Sequence, residues 1–280
     1  MASWKYIIAD SGGSNTSWAF CNNNTVVKLL ETRSMHPKFL HSWTENDWRS
    51  LKKKLGDDLS GRLFFYGAGC SQPAVQTTMV ERLVRFGFES PVVYPDTLGA
   101  CRATCGRNSG VVGILGTGSV MLEYDGHHIT GRVGGYGSLV GDEGSGFYFA
   151  RLVVRDYLTA SSSMSPFVRN QLREVIGSSA EVLARLAGPD AQTWLNELGA
   201  RFKGIDLSYY HYCNLSEWLD TSLPSLKKYP KVISVIGSYG FSQREILEQL
   251  VDERFMTLGT LCKSPMEGLV NFHASKSVNA

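Results

Sequence analysis

YIIADSGGSNTSWAF, residues 6–20, runs apolar up to a carboxylate, passes two adjacent glycines and several small polar residues, and turns apolar again. A tight hairpin needs only a couple of special turn residues. This one places Asp10, Gly12, Gly13, Ser14 and Thr16 in and beside a single turn. A strand–turn–strand of that composition exposes backbone N–H groups in a concave nest that suits phosphate, and glycine lets the anion come close. Asp10 would repel a bare phosphate. It can face one across hydrated Mg²⁺, which prefers one or two carboxylates together with phosphate oxygens. By itself the stretch also reads as a β-hairpin with a loose turn.

Further along, GVVGILGTGS at 110–119 again runs a strand into a glycine–hydroxyl turn, Gly116-Thr117-Gly118-Ser119. Two such turns, each opening one half of the chain, suggest phosphate hairpins on two similar domains that grip one triphosphate. Neither turn is a P-loop, because no G-x-x-x-x-G-K-[ST] occurs, and neither is a dinucleotide fingerprint, because no helix follows directly. Between and after them, strands at 61–69, 91–95, 231–240 and 255–261 alternate with helices at 44–55, 74–87, 96–106, 242–254 and 264–275. Residues 165–228 read as mostly helical, and Asp125-Gly126 turns a hairpin at 120–130. The alternation predicts an α/β protein built from a duplicated unit. The expected domains are 1–107, joined by the last helix at 265–280, and 108–264.

Composition narrows the function. Of 280 residues 43% are hydrophobic and 19% charged, a globular profile. The formal charge of +2 and the scattered basic residues give no nucleic-acid groove and no polybasic membrane patch. No apolar run approaches the roughly 20 residues of a membrane span, and MASWKYIIAD lacks a signal-peptide core. Six cysteines without a C-x-x-C pair read as reduced thiols of a cytoplasmic protein.

IADSGGSNT, YGAGC, DTLGACRA, ILGTGS, GYGSLVGDEGSG, VIGSYGFSQREILE and SPMEGLVNFH stand in this chain in an order that resembles the N-acetylglucosamine kinase-like family. That family includes ATPases that activate CoA-ester reductases and dehydratases, and lies within the actin-like superfamily. The resemblance implies a duplicated ribonuclease H-like fold with two domains flanking a cleft, a homodimer, and ATP with Mg²⁺ as cofactors. It implies Asp10, Gly12, Gly13, Ser14 and Thr16 as the first phosphate motif, with Asp10 on Mg²⁺ through water. It implies Gly116, Thr117, Gly118 and Ser119 as the second motif, Gly237 and Ser238 as an adenosine motif whose glycine leaves room for base and ribose, and Gly268 as an aid from the last helix. Asp96 resembles the carboxylate that takes the sugar's proton; it also reads as a plain helix cap. His36, Thr117, Gly135, Tyr136, Gly137 and Asp142 are implied around the sugar. The chain departs from its relatives at Asn15, His36, Val120 and Tyr136.

The function expected is ATP-dependent phosphorylation of an amino sugar, foremost N-acetylglucosamine to its 6-phosphate. The alternatives are an ATPase that switches a redox enzyme, for which Cys101 and Cys105 on one helix face invite a cluster, and a non-catalytic sugar or nucleotide sensor. SYYHYC at 208–213 reads equally as a core face or a partner face.

Overall fold

The computed structural model describes residues 4–274, and the chain divides into two compact units. The first comprises Met1–Ser109, Asp125–Ile129 and Ser264–Ala280; the second comprises Gly110–Tyr124 and Thr130–Lys263. Positions 275–280, placed by sequence on the last helix, lie outside the described residues.

In chain order the elements of the first half are β1 (Tyr6–Ser11), β2 (Asn15–Asn22), β3 (Thr25–Arg33), α1 (Pro37–Leu40), α2 (Glu45–Leu55), β4 (Arg62–Gly67), α3 (Pro73–Phe86), β5 (Ser90–Pro95) and α4 (Asp96–Cys105). Then follow β6 (Gly110–Leu115), β7 (Ser119–Tyr124), β8 (Ile129–Gly134), α5 (Gly146–Leu158), α6 (Pro166–Ile176), α7 (Ser179–Leu186), α8 (Ala191–Arg201) and α9 (Ser208–Ser222). The chain finishes with β9 (Val232–Ile236), α10 (Ser238–Ser242), α11 (Arg244–Asp252), β10 (Thr257–Cys262) and α12 (Met266–Ala274).

One sheet has the order β3-β2-β1-β4-β5 and the other β10-β9-β6-β7-β8. In each, the opening strand pairs antiparallel with its successor on one side and parallel with a later strand on the other. Reversed, the second order is β8-β7-β6-β9-β10, which repeats the first strand for strand, so the two sheets share one duplicated plan.

β1 is central, and Ile7, Ile8 and Ala9 are fully buried. Ile7 and Ala9 join Trp18, Phe20 and Phe65 in one cluster beneath α2 and α3, while Ile8 joins Ala19, Tyr66 and Leu269 of α12 in another. A strand covered on both faces reads as a continuous apolar run, and the run ends where the strand leaves its cover. That point is Asp10. Thr44 caps α2 in a full capping box with Asp47.

In the second unit Trp218 of α9 is 2% exposed. Its indole lies so close to β6 that a Cβ on Gly113 would stand 2.5 Å from the ring. Gly113→Ala is therefore expected to lower stability by roughly 1–3 kcal/mol through overpacking, read as a drop in the denaturant midpoint at unchanged m-value. Among the described residues no helix is long and apolar enough to cross a membrane.

The boundaries differ from the sequence expectations in three places. Pro95, not Asp96, occupies the cap position of α4, so Asp96 is the first helical residue. The helix expected at 242–254 is preceded by a separate turn of helix, α10. The last strand begins at Thr257 because Arg254 and Phe255 still bond back to the preceding helix.

Candidate functional site

In the first unit β1, β4 and β5 run parallel, so their carboxyl ends share one edge of the sheet. Ligand sites of open α/β sheets lie at such edges. Asp10 is the next-to-last residue of β1, and Asp96 follows β5, its Oδ1 accepting from the Thr97 N–H at 2.9 Å. Burial, and then the charge of Asp96, push the Asp10 carboxyl up to about 7. The two carboxylates thus feel each other in a corner that disfavours bare negative charge, an environment that a divalent cation would stabilise.

Beside this corner the first turn is open. Gly12 donates its N–H to the Asn15 carbonyl at 3.0 Å, while Gly13 and Ser14 are exposed. A Cβ on Gly13 would meet nothing within 4 Å, and its φ lies outside the left-handed region. The fold does not require glycine there, and the backbone is open to approach.

Thr16 has a different place from the one the resemblance implies. It is fully buried, its hydroxyl donates to Ser11 Oγ at 2.9 Å, and it accepts from the Met35 N–H at 3.0 Å. Ser34 Oγ donates to the Gly12 carbonyl at 2.6 Å and accepts from the His36 N–H at 3.1 Å. Thr16 therefore fixes the turn from beneath and ties it to residues 34–36. His36 caps α1, its Nδ1 accepting from the Lys38 N–H at 3.0 Å. That bond leaves the ring proton on Nε2 as a donor. The ring lies against Gly69, whose Cβ would stand 2.7 Å from it, so the YGAGC stretch is shaped around the histidine.

The second turn is built from backbone. Gly116 donates to the Gly118 carbonyl at 3.0 Å and accepts from the Gly146 N–H at 2.9 Å. A Cβ on Gly116 would meet nothing within 4 Å, which again leaves its approach open. Ser119 donates its N–H to Asp142 Oδ1 at 3.2 Å and its hydroxyl to the Glu143 carbonyl. Asp142 is 8% exposed and sits at φ +69°, a strained conformation for a non-glycine residue. Its carboxylate lies under Gly118 and holds this turn. Tyr136 is 70% exposed, on the same glycine-rich loop as Gly135 and Gly137.

Gly237 needs to be glycine for its backbone conformation and packing. Its φ is +124°, and a Cβ would run into the Leu115 carbonyl oxygen. The residue lets the start of α10 pack against the end of β6, which brings Ser238 beside Gly116 and Thr117. Gly268 likewise serves packing: a Cβ there would strike the Ala103 carbonyl oxygen of α4.

Gly116, Thr117 and Ser238 line a cavity of about 570 Å³ within the second unit. Its remaining wall was not legible in the sequence: Phe149, Lys203, His211, Tyr239 and Gln243. His211 stacks on Phe149 with ring centroids 3.8 Å apart and bonds through Nδ1 to Tyr239 Oη at 2.9 Å. Asn214 donates to the same Oη at 2.9 Å. Burial pushes His211 from 6.5 down to about 4. The unfolded chain therefore takes up this proton first as pH falls. The stability contributed by neutral His211 is complete above about 6.5 and lost toward about 4. Melting temperatures between these values are expected to fall more steeply for the wild type than for His211→Gln.

No family model matches the chain. An N-acetyl-D-glucosamine kinase of Dictyostelium discoideum is 31% identical over 97 residues, which is 32% of this chain and 30% of that relative's length. A candidate N-acetylglucosamine kinase from Porphyromonas gingivalis has a solved structure that superposes with a TM-score of 0.84 at 29% identity, covering 97% of this chain and 99% of that one. A second such candidate, from Chromobacterium violaceum, gives 0.68 at 18% identity over 97% of this chain and 99% of its own. A ROK family glucokinase of Streptomyces griseus, solved with glucose and AMPPNP, gives 0.50 at 16% identity over 95% of this chain and 97% of its own. The chain is thus similar to N-acetylglucosamine kinases, in sequence over about a third of its length and in fold over nearly all of it.

Proposed function

We propose that the chain is an ATP-dependent amino-sugar kinase that phosphorylates the 6-hydroxyl of N-acetylglucosamine and uses Mg²⁺. The observation that carries this reading is the pair Asp10 and Asp96 at the sheet edge, beside an open glycine turn. Phosphoryl transfer asks a protein for position and charge stabilisation more than for covalent chemistry. Asp10 would hold the metal through water, and the metal would neutralise phosphate charge. The N–H groups of Gly13 and Ser14 suit phosphate oxygens, and within the second unit so do those of Thr117 and Gly118. The cavity at Ser238, about 570 Å³, lies within the roughly 300–1,000 Å³ of small-ligand sites and takes the nucleoside.

Asp96 takes the hydroxyl proton. Its Oδ1 is tied to the Thr97 N–H, which orients the carboxylate. His36 offers its Nε2 proton to a sugar oxygen where relatives use asparagine. Six cysteines that form no disulfide suit a reducing, cytoplasmic setting.

Gly116→Val tests the nucleotide half. The side chain enters open space, so melting is expected to stay within about 1 °C of wild type, while ATP affinity falls at least tenfold by calorimetry. Unchanged affinity would remove the second turn from the site.

A further inference from the structure

The first unit holds a cavity of about 640 Å³ between α2 and α3, remote in sequence from both glycine turns. Leu40, Trp48 and Phe86 form its floor, and Arg49, Lys52, Arg82 and Arg85 its wall. The spacing explains the convergence. Arg49 and Lys52 are three apart on α2, Arg82 and Arg85 three apart on α3, so each pair shares a helix face. The Trp48 and Phe86 rings lie 5.5 Å apart. Lys52 Nζ stands 5.8 Å from the Phe86 ring centre.

No acidic side chain lines the cavity. Arg49 pairs with Glu45 at 2.8 Å, outside the lining. Among the described residues Lys52, Arg82 and Arg85 have no ion-pair partner. Gathering cations with no acidic side chain among them is unfavourable for folding alone, since like charges repel and surfaces ordinarily mix signs. It is favourable once a multiply charged anion sits among them, and guanidinium forks suit phosphate in particular. The volume suits a small molecule, and the aromatic floor suits a ring.

We propose that this cavity binds a small organic phosphate, with its phosphate between the α2 and α3 cations and its ring on Trp48 and Phe86. A sugar phosphate and a nucleoside monophosphate both have this chemistry. The site stands whether or not the chain is a kinase.

The test is calorimetric titration of the full chain with N-acetylglucosamine 6-phosphate, AMP and inorganic phosphate, each repeated on Arg82→Glu/Arg85→Glu and on Trp48→Ala. One ring phosphate is expected to bind at least tenfold more tightly than inorganic phosphate, and the stronger of the two names the source. The double reversal is expected to weaken that binding at least a hundredfold, and Trp48→Ala about tenfold, with melting and ATP affinity unchanged for the double variant. Equal binding by wild type and the double reversal overturns the proposal. So does affinity for inorganic phosphate equal to that for both ring phosphates, because the floor then does nothing.

Discussion

Asp96→Asn is expected to lower sugar-dependent ADP release by roughly 10²–10⁴-fold, the contribution of a positioned general base. The substitution keeps an Oδ1 for the Thr97 N–H, which the carboxylate accepts at 2.9 Å, so the start of α4 keeps its shape. What disappears is the capacity to take a proton. kcat and kcat/KM should then fall together while KM for the sugar and affinity for ATP hold, the signature of an interaction made only in the transition state. Stability should not drop, because Asp96 raises the cost of ionising Asp10, and the amide removes that repulsion. Steady-state kinetics and a melting curve on the same preparation check both halves. Turnover within a few-fold of wild type would mean that the proton leaves by another group.

Gly237→Ala is expected to be the most damaging single methyl in the second unit. The backbone sits at φ +124°, and the new Cβ would be driven into the Leu115 carbonyl. The left-handed conformation costs an alanine about 1–3 kcal/mol, and displacing the end of β6 costs roughly 1–3 kcal/mol more. Because Leu115 leads directly into Gly116, the same displacement should weaken ATP binding, so stability and affinity fall together. Gly12→Ala is the control. Its backbone is ordinary and the nearest atom to the new Cβ is 3.9 Å away, so stability should be unchanged. Equilibrium denaturation of both variants separates them.

The contrast between those two glycines shows how far the sequence could be read. Local chemistry was legible. The apolar run of β1 ending at Asp10, the Thr44 cap and the Asp125-Gly126 turn each depend on neighbours within a few positions, and each formed. The duplicated topology followed from two similar strand–turn stretches. A glycine or hydroxyl, however, looks the same in sequence whether it faces a ligand or a distant backbone. Gly13 and Gly116 face open space; Gly237 faces Leu115 and Gly268 faces Ala103. Thr16 and Asp142 have the side chains of ligand-binding residues, yet both brace the turns.

His211 escaped for another reason. It lies in an aromatic helix where several faces are apolar, Tyr210 buried and Tyr209 exposed. Only packing against Phe149 and Tyr239 selects the face that lines the cavity. In sequence nothing around Arg49 and Lys52 of α2 signals the second pair of cations that α3 brings beside them.

The most direct measurement is a coupled ADP-release screen over hexoses, N-acetylhexosamines and N-acetylmuramic acid with Mg²⁺ and ATP. The expected result is turnover well above the sugar-free rate, greatest with N-acetylglucosamine, giving a 6-phosphate and vanishing in Asp96→Asn. ADP release that no sugar stimulates would contradict it.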